Sequence, residues 1–410
     1  MTAGAMTPDE RWLEGVRVLD LTQYLAGPSC TRLLTELGAD VIKVEQPPHG
    51  DPSRGAQPRL NRRAGQHIQQ NRGKRSLAVD IRRPEGAEIV LDLVAEVDVV
   101  VENFAPGVMA RRGLDYDSLR ARNESLIMAS VSGFGQTGPL SDRPCFDLIA
   151  QAYSGVMHMT GEADGPPMFM GLGMADTNAG VHAFAAIGHA LFHRERTGRG
   201  THLDIAMVDS LFHMHEHNIN AVSMTNGEYE PLRQGRNYAS LSPAGTFKGP
   251  EGWIIILCTH NQMPYLWRAL GRPELGGEER FRRNQDRIVN REELTAIIED
   301  WMATFATDAE VIAALESERV PCGPVLSPAD AMKHPHFIER GVVREVDDPL
   351  AGPVAIPGFP IRSSDPLPDR PLTAPALGEH NHEILSELLG LDGATIAALE
   401  ADDVLGSKDR

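Results

Sequence analysis

The chain has 410 residues, a formal net charge of −18 and a hydrophobic fraction of 41%. This length exceeds one ordinary hydrophobic core and predicts two lobes. The acidic balance argues against a nucleic-acid surface, and no apolar run is long enough to predict a membrane span. Residues 1–11 lack the charged-then-apolar pattern of a signal peptide. The four cysteines show no zinc or CxxC spacing, so we expect reduced thiols, no metal site and a cytoplasmic protein.

Strands and helices alternate from residue 15 to residue 131. Alternating or continuous β-branched residues predict the strands, and the helices begin and end at proline, glycine or a change of periodicity. The alternation predicts an α/β fold with a doubly wound parallel sheet. The predicted strands are 15–22, 39–45, 77–80, 97–103 and 126–131, and the predicted helices are 29–37, 84–95 and 107–112.

The remainder of the chain has a different pattern. Residues 181–193 are apolar nearly all round, so we predict a helix buried within the lobe or in a subunit contact. A strand at 202–206, a helix at 208–222, a strand at 253–258, helices up to about 318 and a last helix at 380–389 are predicted after it. These changes divide the chain into residues 1–222, a smaller α+β lobe at 223–335, and residues 336–410.

Asp176 lies between a glycine-rich turn and the apolar helix. Glycines at 171, 173 and 180 let the backbone and a substrate come close. The positive end of the helix dipole favours an ionised carboxylate, which can act as a covalent nucleophile. The same stretch also fits Asp176 as the N-cap of the helix, a position where Asp is favoured.

Basic and polar side chains follow the predicted strands, where a parallel sheet binds its ligand. Arginine and lysine at such loops are suited to phosphates, so their recurrence indicates a phosphate-rich ligand. The motifs GxGxxG, GxxxxGK[ST] and GxSxG are absent from the expected places, which argues against a dinucleotide, ATP or an α/β-hydrolase. The clusters are Asn71–Arg75, Arg82, Glu102–Gly107 with Arg111 and Arg112, and Ser132–Gln136.

The sequence resembles the class III CoA-transferase family, which includes formyl-CoA transferases, carnitine CoA-transferases and α-methylacyl-CoA racemases. No single motif is decisive, but many occur in the family's order. The matching segments are 15–20, 26–28, 37–45, 71–76, 101–107, 146–152, 175–176, 197–200 and 320–325.

The resemblance implies a fold and a reaction. Both termini would build the large Rossmann-like lobe, so that 336–410 returns to it, and two chains would interlock as rings in a homodimer. Asp176 would be the nucleophile, acting through an acyl-aspartyl anhydride and an aspartyl-CoA thioester. An acyl-CoA and a small carboxylic acid would be the substrates, with no permanently bound cofactor.

The resemblance also carries over contacts to CoA. They are Leu25, Ala26, Val79, Asp80, Arg82, Asn103, Phe104, Ala105, Arg111, Ser132, Gly133, Phe134 and Gly135. Two departures leave questions open. Gln46 stands where the family often has a phosphate-binding arginine, for which Arg54 is a candidate substitute. Residues 233–247 lack the glycine run that closes over the aspartate in formyl-CoA enzymes, so the acyl group and the acceptor are not specified.

The racemase reaction is the alternative. Racemases of the family use a histidine in a segment that corresponds here to Pro144–Asp147, and Phe146 occupies the histidine position. A phenylalanine cannot transfer a proton, so CoA transfer is favoured, with a non-catalytic CoA-binding protein as the third hypothesis. Arg233 and Arg236 are candidates for binding a second carboxylate of the substrate.

Overall fold

The structure is a computed structural model that describes residues 11–364 and 372–406. The chain divides into two compact units. The first contains the described residues up to Val156, Phe169–Gly227 and those from Ile338 onward, and the second contains Met157–Met168 and Glu228–Phe337. The sequence-based division placed 157–168 in the large lobe. The segment belongs with the second unit because its backbone bonds there, with Gly235 N donating to Gly161 O at 3.0 Å.

A six-stranded parallel sheet forms the centre of the first unit. Its strands are β1 (Arg17–Asp20), β2 (Asp40–Glu45), β3 (Arg75–Ala78), β4 (Val99–Glu102), β5 (Ile127–Ser132) and β6 (Thr201–Ala206). Their spatial order is β3-β2-β1-β4-β5-β6, and all neighbours run parallel. The predicted mixed α/β fold with a parallel central sheet is therefore confirmed. The order reverses direction between β1 and β4, and ligands bind at such switch points.

Helices cover both faces of this sheet. Leu93, Leu119 and Ile384 belong to the core on one face, and Leu34 and Ile187 to the core on the other. Ile384 lies near the C-terminus, so residues after 338 complete the first unit. The helices with most or all of their residues in this unit are Ala26–Glu36, Gly65–Asn71, Pro84–Val94, Val108–Arg111, Tyr116–Arg122, Asp147–Tyr153, Met174–Thr197, Met207–His213, Asn218–Met224, Asn381–Leu389 and Gly393–Ala401.

The long helix, Met174–Thr197, packs closely against the first helix, Ala26–Glu36. A Cβ atom on Gly180 would lie 2.6 Å from the carbonyl oxygen of Ala26 and 2.7 Å from Ser29 Cβ, so only glycine fits this crossing. The opposite side of the long helix is open, with Val181 45% exposed and Phe192 64% exposed. The predicted burial within the lobe is therefore wrong for this side.

Two predicted helices differ from the observed ones. The predicted helix 208–222 is divided into Met207–His213 and Asn218–Met224, because the chain between them is held by His215, whose Nε2 lies 2.7 Å from Ser154 O. The predicted last helix is observed as Asn381–Leu389, but a further helix follows it. Asp392 begins that further helix by accepting a hydrogen bond from Thr395 N at 2.8 Å.

The second unit has its own sheet and core. Strands Ala244–Lys248, Trp253–Leu257 and Cys322–Pro324 pair antiparallel with Trp253–Leu257 in the centre. Trp267, Phe281 and Ile298 are among the buried residues of its core. Its remaining elements are the helices Val156–Met159, Met263–Ala269, Glu279–Arg282, Asn284–Val289, Arg291–Met302, Asp308–Ser317, Pro328–Lys333 and Pro335–Glu339, of which the first begins and the last ends in the first unit.

Two small hairpins belong to the first unit. Val343–Asp348 pairs with Gly352–Pro357, and Arg59–Leu60 pairs with Arg63–Ala64. The side chain of Arg63 joins the hairpins through an ion pair with Asp348 at 2.7 Å. Within the part of the chain that the structure describes, no helix has the length and apolar character needed to cross a membrane.

Candidate active site

A cavity of about 340 Å³ opens at the carboxyl ends of β1, β4 and β5. It occupies the switch point of the sheet, where the loops after β1 and β4 separate. Asp176 reaches its wall from the long helix. The wall includes seven of the residues expected to contact CoA: Leu25, Ala26, Asn103, Phe104, Ala105, Ser132 and Gly133.

Buried polar contacts hold the loop after β1 in place. The side-chain amide of Asn103 accepts from Gln23 N at 2.8 Å and donates to Gln23 O at 2.9 Å. Asp51 accepts from Tyr24 N at 3.1 Å and forms an ion pair with the buried Lys43 at 3.1 Å. Tyr24 has a φ of 64°, a left-handed conformation that few non-glycine residues adopt. The loop is thus fixed by its surroundings before any ligand binds.

A second cavity of about 230 Å³ shares Gln23 and Phe104 with the first. Arg82 lines it, half-exposed, with its guanidinium 2.8 Å from Asp80. Arg82 holds the pKa of Asp80 down at about 2. Among the described residues Arg112, and not the predicted Arg111, lines this cavity, because the short helix Val108–Arg111 turns Arg111 toward solvent. Val79 and Gln46 complete this part of the wall.

Four of the predicted CoA contacts, Asp80, Arg111, Phe134 and Gly135, line neither cavity. Phe134 packs edge-on against the ring of Tyr153, with centroids 4.9 Å apart. A Cβ atom on Gly135 would lie 3.5 Å from the carboxylate of Asp204. The carboxylate of Asp204 accepts a hydrogen bond from the backbone N–H of Gln136 at 2.9 Å and so holds this turn against β6. The backbone at 134–135 therefore supports the loop and does not form the cavity wall.

The basic cluster at 71–75 is occupied by internal ion pairs. Lys74 is fully buried, 2.8 Å from Asp20. Arg75 pairs with Asp40 at 2.5 Å, and Arg72 pairs with Glu36 at 2.6 Å. The basic side chains of this cluster are therefore engaged in ion pairs that stabilise the fold. The candidate substitute Arg54 is likewise paired, with Glu45 at 2.6 Å.

Asp176 is the third residue of the long helix and is not its cap. Gly173 is the N-cap, and Asp147 Oδ1 accepts hydrogen bonds from Ala175 N at 2.7 Å and from Asp176 N at 3.2 Å. Burial and the neighbouring Asp147 raise the pKa of Asp176 to about 7. Burial and the Asp147 charge therefore oppose the ionised form that the helix dipole favours.

Two further residues of the cavity wall, Arg143 and Cys145, were not predicted from the sequence. Arg143 is exposed and donates a hydrogen bond to the Tyr153 hydroxyl at 2.9 Å. Cys145 lies near Asp176 and Asp147. Burial is the main cause that raises the pKa of its thiol to about 11, and the charges of these two carboxylates contribute to the rise. An arginine four residues before Asp147, in a segment that contains a proline, was the only available signal.

The two arginines proposed from the sequence for a second carboxylate have partners within the second unit. Arg233 donates to the carbonyl oxygens of Gly165 at 3.1 Å and His158 at 2.9 Å. Arg236 forms an ion pair with Glu299 at 2.6 Å. Both side chains therefore stabilise the second unit.

Comparison with known proteins identifies the family of the chain. The family model for CoA-transferase family III matches residues 13–381. The chain belongs to the CoA-transferase family III. Among its relatives, the succinyl-CoA:mesaconate CoA-transferase of Haloarcula marismortui is 41% identical over 95% of this chain and 99% of that protein. The succinyl-CoA:glutarate CoA-transferase of Mus musculus is 37% identical over 96% and 90%.

Solved structures of family members have the same fold. The crystal structure of a CaiB/BaiF family protein from Brucella suis superposes with a TM-score of 0.82 at 37% identity, covering 92% of this chain and 100% of that chain. The D175A mutant of Rv3272 from Mycobacterium tuberculosis gives 0.80 at 30% identity, covering 94% and 100%. The resemblance stated from the sequence is confirmed.

Proposed function

We propose that this CoA-transferase moves CoA between an acyl-CoA and a small carboxylic acid, with Asp176 as the covalent nucleophile. The observation that carries the proposal is the position of Asp176 in the wall of the switch-point cavity, opposite the loops after β1 and β4. The relatives named as succinyl-CoA:mesaconate and succinyl-CoA:glutarate CoA-transferases support the reaction class.

The reaction exchanges CoA between two carboxylic acids, and the covalent route divides this exchange into successive acyl transfers that involve the Asp176 carboxylate. The Asp176 carboxylate attacks the thioester carbonyl of the donor and expels CoA thiolate, which leaves an acyl-aspartyl anhydride. The thiolate attacks the aspartyl carbonyl, forming an aspartyl-CoA thioester and releasing the donor acid. The acceptor carboxylate attacks this thioester and expels the thiolate again. The thiolate then attacks the acceptor's acyl carbonyl, which gives the new acyl-CoA and regenerates Asp176.

The first cavity, called the inner cavity from here on, and the second, called the outer cavity, share Gln23 and Phe104 and suit the two ends of CoA. Arg82 and Arg112 provide positive charge for phosphates in the outer cavity, and charge-assisted hydrogen bonds from arginine to phosphate are strong. The inner cavity, with Asn103, Phe104 and Ser132, would hold the pantetheine arm and direct the thioester to Asp176. Arg143 in the same wall is placed to bind a second carboxylate, so we propose dicarboxylic acids as substrates.

The racemase alternative is tested together with transfer. Phe146, 71% exposed in the wall beside Asp176, offers no proton-transferring group. Succinyl-CoA is incubated with a panel of carboxylic acids, and a 2-methylacyl-CoA is incubated in heavy water, with mass spectrometry of both products. We expect at least one new thioester and no deuterium at the α-carbon.

The nucleophile is tested by Asp176→Asn, which keeps the size of the side chain and removes the attacking oxyanion. Hydroxylamine should trap an acyl adduct on the wild type and none on the variant. Turnover should fall by at least about a thousandfold, because the variant has no oxyanion to attack the thioester. Turnover of the variant near the wild-type rate, or rapid α-exchange without transfer, would overturn the proposal.

A further inference from the structure

The first turn of the long helix is arranged so that none of its amides serves the carboxylate of Asp176. Met174 N donates to Leu172 O at 2.8 Å, and Thr177 N donates to Gly173 O at 3.0 Å. The amides of Ala175 and Asp176 both donate to Asp147 Oδ1. Within residues 11–364 and 372–406, no donor forms a hydrogen bond to the Asp176 carboxylate. A carboxylate in the first turn of a helix is ordinarily stabilised by the free backbone amides of that turn. Here two of these amides donate to the carboxylate of Asp147 instead.

Asp147 is itself fixed by a buried glutamine. Gln151 Nε2 donates to Asp147 Oδ2 at 2.7 Å, and Gln151 Oε1 accepts from Met170 N at 2.9 Å. Gln151 has no exposed surface. The helix Asp147–Tyr153 thereby holds both the turn before the long helix and the first amides of that helix. The position of Asp176 depends on this contact between segments about 30 residues apart in the chain.

Gly173 brings the two carboxylates near each other. A Cβ atom at this residue would lie 3.8 Å from Asp176 Oδ2 and 3.9 Å from Asp147 Oδ1, and it would collide with Leu25 Cδ2 at 2.6 Å. The turn therefore places the Asp147 charge beside Asp176 and against the loop after β1. A nearby negative charge and the lack of hydrogen bonds both destabilise an ionised carboxylate, and a more basic carboxylate is a stronger nucleophile for an acyl group.

We propose that Asp147 is a positioning residue that activates Asp176, by binding the helix amides in its place and by setting a second negative charge beside it. The inference rests on the proposed function of Asp176. The other charged side chains of the cavity wall are Asp142 and Arg143. The thiol of Cys145, which follows them in the chain and precedes Asp147, also lies in the wall. The first helix and the helix Met207–His213 contribute Ala26 and Met207 to the wall, which carry no charge.

Asp147→Asn removes the charge and the acceptor of the Gln151 bond but keeps an oxygen for the helix amides, and Asp147→Ala removes the charge and both acceptors. Asp115→Asn is the matched control, because Asp115 also accepts from a helix amide, that of Ser118 at 3.2 Å, outside both cavities. In single turnovers we expect the rate of adduct formation to fall at least tenfold in both Asp147 variants and to stay within twofold of wild type in the control. The Michaelis constant for acyl-CoA should change less than threefold.

The pH dependence separates activation from a merely structural role. Removing the Asp147 charge should move the acid limb of kcat/KM to lower pH, whereas a loosened fold would lower the rate equally at every pH. A rate and an acid limb that are both unchanged in Asp147→Asn would overturn the proposal. The isosteric variant keeps the test valid if the alanine variant does not fold.

A second measurement does not depend on CoA transfer. A water-soluble carbodiimide reacts with protonated carboxyl groups, so peptide mapping after labelling at a series of pH values follows the protonation of Asp176 directly. We expect Asp176 to be labelled up to near-neutral pH in the wild type and only at lower pH in Asp147→Asn. Equal labelling profiles would overturn the role of Asp147 whether or not transfer occurs. Shifted profiles in a protein without transfer would instead contradict the proposed function.

Discussion

The charged form of Asp176 has an energetic cost for the folded chain. Its pKa is raised from 3.8 to about 7, so between these pH values the folded protein holds a proton that the unfolded chain has lost. The folded state is therefore favoured at the acid end of this window, and the contribution is lost as the pH rises through 7. The proposed nucleophile thus lowers stability at pH values where its carboxylate is ionised.

Asp176→Asn should for this reason be more stable than the wild type at pH 8. We expect a difference of about 1–3 kcal/mol, since one unit of pKa corresponds to about 1.4 kcal/mol and partial exposure reduces the effect. At pH 4.5 the difference should fall to about a quarter of this value, because that pH is within one unit of 3.8, below which Asp176 is protonated in the unfolded chain as well. Denaturant unfolding at the two pH values measures it.

Asp142→Asn is the control, because Asp142 is an exposed acid in the same wall and has the same change of group. The prediction is contradicted if the two variants show the same change in the free energy of unfolding, or if Asp176→Asn is less stable than the wild type at pH 8. Ionisation of Asp176 would then not destabilise the folded protein.

At the scale of elements, the strands were predictable and the side-chain contacts between elements were not. Val99–Glu102 and Ile127–Ser132 are fully or nearly fully buried, so their continuous apolar sequence indicates both the strand and its place in a parallel sheet. The polar contacts depend on distant partners. Lys74 looks like a phosphate ligand in the sequence, yet Asp20, 54 residues away, pairs with it. Asp147 is a family-motif residue whose hydrogen bonds to the long helix cross 28 and 29 residues.

The short helix Val108–Arg111 decides which of two adjacent arginines lines the outer cavity. Arg112 lines the outer cavity, whereas Arg111 is exposed and lies along Gly107. Arg112→Ala should raise the Michaelis constant for acyl-CoA about tenfold or more, since a charge-assisted hydrogen bond contributes about 1.5–3 kcal/mol. Turnover should change less. Arg111→Ala is the matched control and should leave both constants within about twofold, because its side chain is solvated. The reverse pattern would show that the residue indicated by the family resemblance is the ligand.

At the scale of the whole molecule, the open side of the long helix requires a partner. Val181 and Phe192 on this helix and Phe212 on the helix Met207–His213 are each 45% or more exposed, and large apolar patches on a surface mark interfaces. We propose that a second copy of the chain covers them, in the interlinked homodimer that the family resemblance implies. Interlinked subunits cannot separate without unfolding, which distinguishes them from an ordinary dimer in equilibrium with its monomers.

Subunit exchange tests this linkage. Tagged and untagged proteins are mixed at nanomolar concentration, incubated for days, and analysed by affinity capture and sedimentation. We expect only dimers and no mixed species until denaturant is added and removed, after which mixed dimers should form. Phe192→Asp should reduce the yield of folded dimer, because a charged side chain would replace an apolar one in the contact. Leu350→Asp, at a residue 60% exposed in the turn of the Val343–Pro357 hairpin, should leave the yield unchanged. Exchange in native buffer would show a separable dimer, and a folded monomer at nanomolar concentration would show that the open side of the long helix faces water.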